Sequence, residues 1–457
     1  MSTHYISESY FNRRLSDKKT IEKSIEDQLY SEQNTVSLGL RWWPEGTAVE
    51  PPAPGVPDLI CFSHLRWDFV YQRPQHLLNR CAQARRVFIV EEPITVSEAT
   101  SWLDVSKRDC GVWIVVPHLS ESLSDEESTL ALQRLLNALL AEAQIQRPIL
   151  WYYTPMAVPF TEHLQASAVV YDCMDELSAF KGAHPQLQAW EARLFELADL
   201  VFTGGHSLYE AKQHQHSSVH AFPSSIEADH FAQARQPLPE PPDQADIPHP
   251  RLGFYGVIDE RMDLELLDGI AQARPDWHLV MVGPVVKIDA ASLPQRPNIH
   301  YLGSKPYQEL PHYLAGWDGA LLLFARNEST RYISPTKTPE YLAAGKPVVS
   351  TSIRDVVRPY GDEKLVHIAD TVPEFVEAIA IALDQSQTPA DWLERVDARL
   401  AQTSWDLTWQ AMNDRIEEAI AANARKFTPS ETTLSKTTSS KTKYPTAIAA
   451  HIDQLAI

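Results

Sequence analysis

Long apolar runs are missing from this chain of 457 residues. Nowhere do about eighteen apolar residues follow one another, so no segment is long enough to cross a bilayer as a helix. The opening residues, Met1-Ser2-Thr3-His4-Tyr5-Ile6-Ser7-Glu8, also lack the basic and then apolar regions of a secretory signal. Cysteine is scarce. Cys61, Cys81, Cys110 and Cys173 are widely spaced and form no Cys-x-x-Cys pair, which predicts reduced thiols in a cytoplasmic protein and excludes a disulfide framework. Basic residues are outnumbered, 40 Lys and Arg against 60 Asp and Glu. The formal net charge of −20 excludes general binding to nucleic acid, whose phosphate backbone demands a basic face.

What is present alternates. Apolar runs that read as strands occur at 58–63, 87–90, 112–116, 149–153, 169–172 and 199–203, with helical segments between several of them, notably 128–145. Strands alternating with helices imply βαβ units and a mostly parallel sheet, hence an α/β fold. The segment 236–250 carries six prolines and almost nothing to bury, so it marks a domain boundary. Further strand-like runs follow at 251–256, 278–283, 298–303, 320–324, 347–350 and 365–368. Two domains fit the length, since one core seldom organises more than about 250 to 300 residues. The expected layout is an extension and linker over 1–57 with one helix near 18–30, a first Rossmann-like domain over 58–235, the proline-rich linker 236–250, and a second Rossmann-like domain over 251–403. A helix over 404–426 and a Ser/Thr/Lys-rich, mostly disordered tail over 427–457, with a short helix at 447–457, complete it.

The most informative stretch is Ser334-Pro335-Thr336-Lys337-Thr338-Pro339-Glu340-Tyr341-Leu342-Ala343-Ala344-Gly345-Lys346-Pro347. It reads as a short helix between two buried strands, ended by Gly345 and Pro347 and capped by Ser334 or Thr338, with Pro335 or Pro339 in the first turn. Either cap leaves the amides of Thr336, Lys337 and Thr338 unpaired at the positive end of a helix, outside the carboxyl edge of a parallel sheet, which makes an anion site. Glu340 cannot attract a phosphate, but it can accept hydrogen bonds from a pair of sugar hydroxyls. Phosphate-binding amides beside a diol-binding acid describe a nucleotide diphosphate with its ribose.

Other candidates lie where strands open into the crevice. A strand ending in Gly256 lets a diphosphate approach the backbone, and Arg261 offers a fork of donors to its oxygens. Lys287, after the next strand, is a candidate second cation; two such charges would stabilise a departing diphosphate with no metal strictly required. Asp175, just beyond the strand that ends at Asp172, is the acid expected to contact acceptor or donor sugar. In the loop after the first strand, His64, Trp67 and Arg73 are candidates for the acceptor side. Arg80, Arg85 and Arg86 read as solvated surface, or as contacts for an anionic lipid-linked acceptor at a membrane surface.

The pattern Pro335-x-Lys337-x-x-Glu340-Tyr341-x-Ala343-Ala344-Gly345-Lys346-Pro347-Val348-Val349 resembles the donor-binding segment of GT-B glycosyltransferases, in particular the large retaining family of bacterial polysaccharide and glycolipid enzymes, glycosyl transferases group 1. The resemblance covers roughly residues 58–415. It implies two Rossmann-like domains facing each other across a cleft, Glu340 on the nucleotide ribose, the Ser334–Lys337 loop around the diphosphate, and Arg261 as the basic residue that stabilises the departing nucleotide diphosphate. It implies a C-terminal helix crossing back to the first domain, with Trp405 and Trp409 as core anchors. The implied reaction moves a sugar from a nucleotide diphosphate sugar to a polysaccharide, lipid-linked or other glycan acceptor with retention, in the cytoplasm or peripherally at the inner membrane face. One departure stands out. The family carries a second glutamate eight residues before Glu340, and here that position is Tyr332, with Glu328 and Arg331 nearby as substitutes. A nucleotide-sugar 2-epimerase, which shares a related fold, and a catalytically degenerate nucleotide-sugar-binding protein are the alternatives.

Overall fold

The computed structural model of the chain describes residues 38–44 and 49–427. The helices expected near 18–30 and at 447–457 lie outside the described residues. Ten strands build the first sheet: β1 (Leu38–Trp43), β2 (Leu59–Ser63), β3 (Val87–Glu91), β4 (Ile94–Val96), β5 (Ser101–Lys107), β6 (Trp113–Ser120), β7 (Ile149–Tyr152), β8 (Ala168–Cys173), β9 (Leu200–Thr203) and β10 (Val219–Ala221). Their order is β1-β5-β6-β3-β2-β7-β8-β9-β10, with β4 beside β6. Only the β5–β6 pairing is antiparallel. β2, β3 and β7 are buried at every residue, which is why they are unbroken apolar runs: helices cover both faces of a parallel sheet.

β1 falls inside the stretch read from sequence as extension and linker. It pairs in parallel with β5, from Leu38 opposite Ser101 to Trp43 opposite Ser106. Leu40 and Trp42 turn inward, Trp42 meeting Trp113 edge to face at 5.8 Å between ring centroids, while Trp43 is 49% exposed. An edge strand with one covered face keeps only every second residue apolar, a weak signal over six residues.

The second sheet comprises β11 (Arg251–Tyr255), β12 (His278–Val282), β13 (Ile299–Gly303), β14 (Gly319–Leu322), β15 (Val348–Ser350) and β16 (Val366–Ile368). All its pairings are parallel, in the order β13-β12-β11-β14-β15-β16. The direction of winding reverses between β11 and β14, and in such sheets the ligand crevice lies outside the carboxyl ends of the strands at that reversal. The proline-rich segment before β11 is docked onto this domain: Gln244 is fully buried, accepting from the Trp317 indole and donating to the Tyr313 carbonyl.

The helix Trp405–Phe427 returns to the first sheet. Trp405, Met412 and Ile416 are buried in one cluster with Leu59, Cys61 and Trp151, and Trp409 packs against its edge. Arg80 pairs with Asp406 and Arg85 with Glu417, so two of the three arginines read as surface or acceptor contacts tie this helix down instead. The third, Arg86, is bidentate on Asp58.

Two glycines shape the crevice floor. Gly256, after β11, and Gly283, after β12, have φ of 137° and 142°, values side-chain-bearing residues seldom adopt. A Cβ on Gly283 would run into the carbonyl oxygen of Gly256. Gly283→Ala is therefore expected to lower stability by about 3 kcal/mol or more, read as a fall in thermal midpoint. An unchanged midpoint would mean the two loops are not in contact.

Candidate functional site

A cleft of about 690 Å³ opens between the two domains. Its first-domain wall is the loop after β2 together with Met174, Asp175 and Gly204; its second-domain wall is formed by the ends of β11 and β12 and the segment Ile333–Lys337 with Glu340. The helix here runs from Lys337 to Ala343 and has no side-chain cap. Neither expected cap serves: the Ser334 carbonyl takes the Ser224 hydroxyl at 2.6 Å, and Thr338 points inward, 1% exposed, with no partner for its hydroxyl. The Thr338 amide donates to the Pro335 carbonyl at 3.3 Å. That leaves Thr336 and Lys337, among the described residues, as the amides with no acceptor.

Lys337 supplies the decisive charge. Its side chain lies over Gly256, where any Cβ would collide with it, and its ammonium sits 5.9 Å from the centre of the Phe254 ring. Among the described residues it makes no ion pair, and burial pulls its pKa below the usual lysine range. A desolvated cation without a carboxylate partner, facing a cavity, is a site built for an anion.

Glu340 is one turn further along the same face, 4% exposed. Burial raises its pKa to about 7, against the lowering effects of the Tyr255 hydroxyl, which donates to Oε2, and of Lys337. Its carboxylate is a buried acceptor with Oε1 left for a ligand. Tyr255 was not singled out from the sequence, because within an apolar strand its hydroxyl gives no signal of where it points.

Arg261 lines the cleft with a guanidinium held rigidly. Asp259, 3% exposed, accepts from its Nε at 3.0 Å and its Nη2 at 2.7 Å, and also from its backbone amide. Nη1 stays available. Asp259 is a second residue missed from sequence; the Asp-x-Arg spacing was the available signal. Across the cleft, burial raises the pKa of Asp175 to about 6, opposed by the positive charges of Arg261, Lys287 and Arg73.

The acceptor-side candidates divide. Trp67 lines the cleft, 9% exposed, with its amide fixed by Glu91 at 2.7 Å. Arg73 lines the cleft, and each of its three nitrogens has a protein partner: Nε and Nη2 grip fully buried Asp172 at 3.0 and 2.9 Å, and Nη1 donates to the Phe222 carbonyl at 2.8 Å. A fork already neutralised by a buried carboxylate has less to offer an acceptor than a free one. His64 stands outside the cleft lining; burial and the charge of Lys287 push its pKa down to about 4, so it is neutral at pH 7. Lys287 is exposed on the adjoining loop, 5.4 Å from the Phe180 ring, and reaches Asp175 through its field rather than by contact. Tyr332 and its neighbours Glu328 and Arg331 line a different cavity, so none of them replaces the missing glutamate within the cleft.

Residues 249–385 match the family model described as glycosyl transferases group 1. A TM-score of 0.60 over 80% of this chain and 100% of the other relates the structure to the sucrose-phosphate synthase of Thermosynechococcus elongatus at 14% identity. A TM-score of 0.56 over 80% and 99% relates it to a UDP-forming α,α-trehalose-phosphate synthase of Burkholderia xenovorans at 12% identity. The chain has the GT-B fold. Its GT-B halves are the two sheets described above, and the group 1 match covers most of the second. In sequence, 233 residues are 27% identical to the "Putative teichuronic acid biosynthesis glycosyltransferase TuaH" of Bacillus subtilis (strain 168), covering 47% of this GT-B chain and 57% of that protein. The aligned part thus spans little more than half of that relative. Among the described residues no helix is long and apolar enough to cross a membrane.

Proposed function

We propose that this chain is a glycosyltransferase that moves a sugar from a nucleotide diphosphate sugar, held by the second domain, to a glycan acceptor, free or lipid-linked, held by the first. The observation that carries the reading is the pair Lys337 and Glu340 on one helical turn: a half-buried ammonium over Gly256, with no ion-pair partner among the described residues, for the diphosphate, and a buried carboxylate for the ribose hydroxyls. The group 1 match over the same domain and the likeness to TuaH support it.

In this reading the bond from the anomeric carbon to the diphosphate oxygen breaks, and negative charge accumulates on the leaving phosphate. Lys337, the free Nη1 of Arg261 and the amides of Thr336 and Lys337 neutralise it without requiring a metal. The acceptor hydroxyl attacks the same face of the sugar, and its proton passes to the departing phosphate oxygen, so the configuration is retained. Asp175 faces this region from the first domain, where its raised pKa suits it to hydrogen-bond a sugar hydroxyl.

A thermal-shift screen against UDP, GDP, ADP and TDP, with and without magnesium, tests donor binding; a specific ligand at about a hundred times its dissociation constant adds about 2.7 kcal/mol of stability. Chromatography of a nucleotide sugar incubated alone then exposes an epimerase, and binding without transfer to any acceptor exposes a degenerate binder. Arg261→Ala is expected to lower kcat by about a hundredfold or more while nucleotide affinity changes less, and Asp259→Asn, which only loosens the guanidinium, by about tenfold. Equal losses of kcat and of nucleotide affinity in Arg261→Ala would place this arginine in ground-state binding.

A further inference from the structure

A second cavity, of about 590 Å³, lies along the seam of the two domains. The first domain contributes Ser207 and Glu210; the second contributes Arg326, Arg331, Tyr332 and Arg354. The volume suits a ligand of several rings, and most of the lining side chains are polar or charged, beside Ala211, Tyr332 and Ile353.

Three guanidiniums converge here in a chain whose net charge is −20. Each is only partly engaged. Arg331 approaches Glu328 at 3.6 Å between two largely exposed side chains, Arg326 lends one nitrogen to Asp370 at 3.0 Å, and Arg354 pairs with Glu210. With five N–H donors per guanidinium, most remain free for a planar anion such as a carboxylate. Ser207 closes the first-domain side, buried at 2% exposure beside Asp355, whose carboxylate accepts from the Ser207 amide at 3.0 Å. The Tyr332 ring, with the Arg331 guanidinium 5.3 Å from its centre, offers an apolar face among these polar groups.

Carboxylates for the arginines, hydroxyls for Glu210, and flat C–H faces for Tyr332 occur together in an oligosaccharide containing uronic acid units. We infer that this cavity binds a segment of acidic oligosaccharide, across both domains and apart from the donor cleft. Treating that oligosaccharide as the far portion of the acceptor rests on the glycosyltransferase reading; the binding itself does not.

Calorimetric titration of the full chain with tetragalacturonate and with maltotetraose tests this. Tetragalacturonate should bind the wild type and Glu340→Ala alike, maltotetraose far more weakly, and Arg326→Ala/Arg331→Ala should lose about a hundredfold in affinity for the acidic tetrasaccharide. The double variant should keep the wild-type thermal midpoint and any nucleotide-induced shift, since both arginines are surface residues outside the cleft. The inference is overturned if tetragalacturonate fails to bind, binds no better than the neutral sugar, or binds the double variant unchanged. Loss of nucleotide binding in the wild type would instead count against the proposed function alone.

Discussion

Glu340→Gln should remove nucleotide binding and, above pH 7, make the free protein more stable. The carboxylate is 4% exposed and its folded pKa is raised to about 7 from an ordinary 4.5. A folded pKa above the unfolded one means the folded state binds the proton more tightly, so this group's contribution to stability falls as pH rises between those two values. By about pH 8 the accumulated penalty is on the order of 3 kcal/mol. Glutamine keeps an acceptor for the Tyr255 hydroxyl and carries no charge to bury, so the variant should escape the penalty, with the difference from wild type vanishing below pH 4.5. Affinity moves the other way. The ribose hydroxyls bond best to the ionised form, so nucleotide affinity of the wild type should rise with pH through about 7. Losing a charged acceptor for two hydroxyls should weaken binding by about a hundredfold or more. Thermal midpoints at pH 5 and pH 8, each with and without nucleotide, check both halves. A variant that binds nucleotide normally would remove Glu340 from the site.

The second large effect is structural. Arg73→Met should destabilise the first domain by about 3 to 5 kcal/mol, because it strands the fully buried Asp172 carboxylate without its partner. Arg73→Met/Asp172→Leu, which removes both charges, should recover much of that loss. Denaturant unfolding of the two variants and the wild type distinguishes this from the acceptor role that the loop position of Arg73 suggests. If Arg73→Met keeps its stability and raises only the KM for acceptor, the guanidinium contacts substrate after all.

Strand runs such as Leu59–Ser63 and Leu200–Thr203 were legible because a strand covered on both faces must be apolar at every position, a local property of the chain. Lys337 and Glu340 share a face for a similarly local reason: three residues along a helix put two side chains on one side wherever that helix sits. Gly256 and Arg261 line the cleft because the carboxyl end of a parallel strand faces the crevice in any such sheet.

What remained hidden depends on pairs remote in the chain. Arg73 and Arg261 look alike in sequence, each in a loop after a strand. One meets a buried carboxylate 99 residues away and is fixed in the wall, and the other meets Asp259 two residues away and keeps a nitrogen for the cleft. Tyr255 became part of the site only because the fold brings its hydroxyl to a carboxylate 85 residues on. The segment from Arg326 to Tyr332, close in sequence to the donor motif, was carried into a separate cavity by packing Tyr332 against the core of the first domain. The sequence by itself determined the α/β alternation and the two-sheet organisation, because each follows from the periodicity and polarity of neighbouring residues. Only the tertiary structure decided which charges are neutralised and which are left for a ligand, because a charge is used or free according to what lies within about 3 Å of it, and chain order does not set that distance.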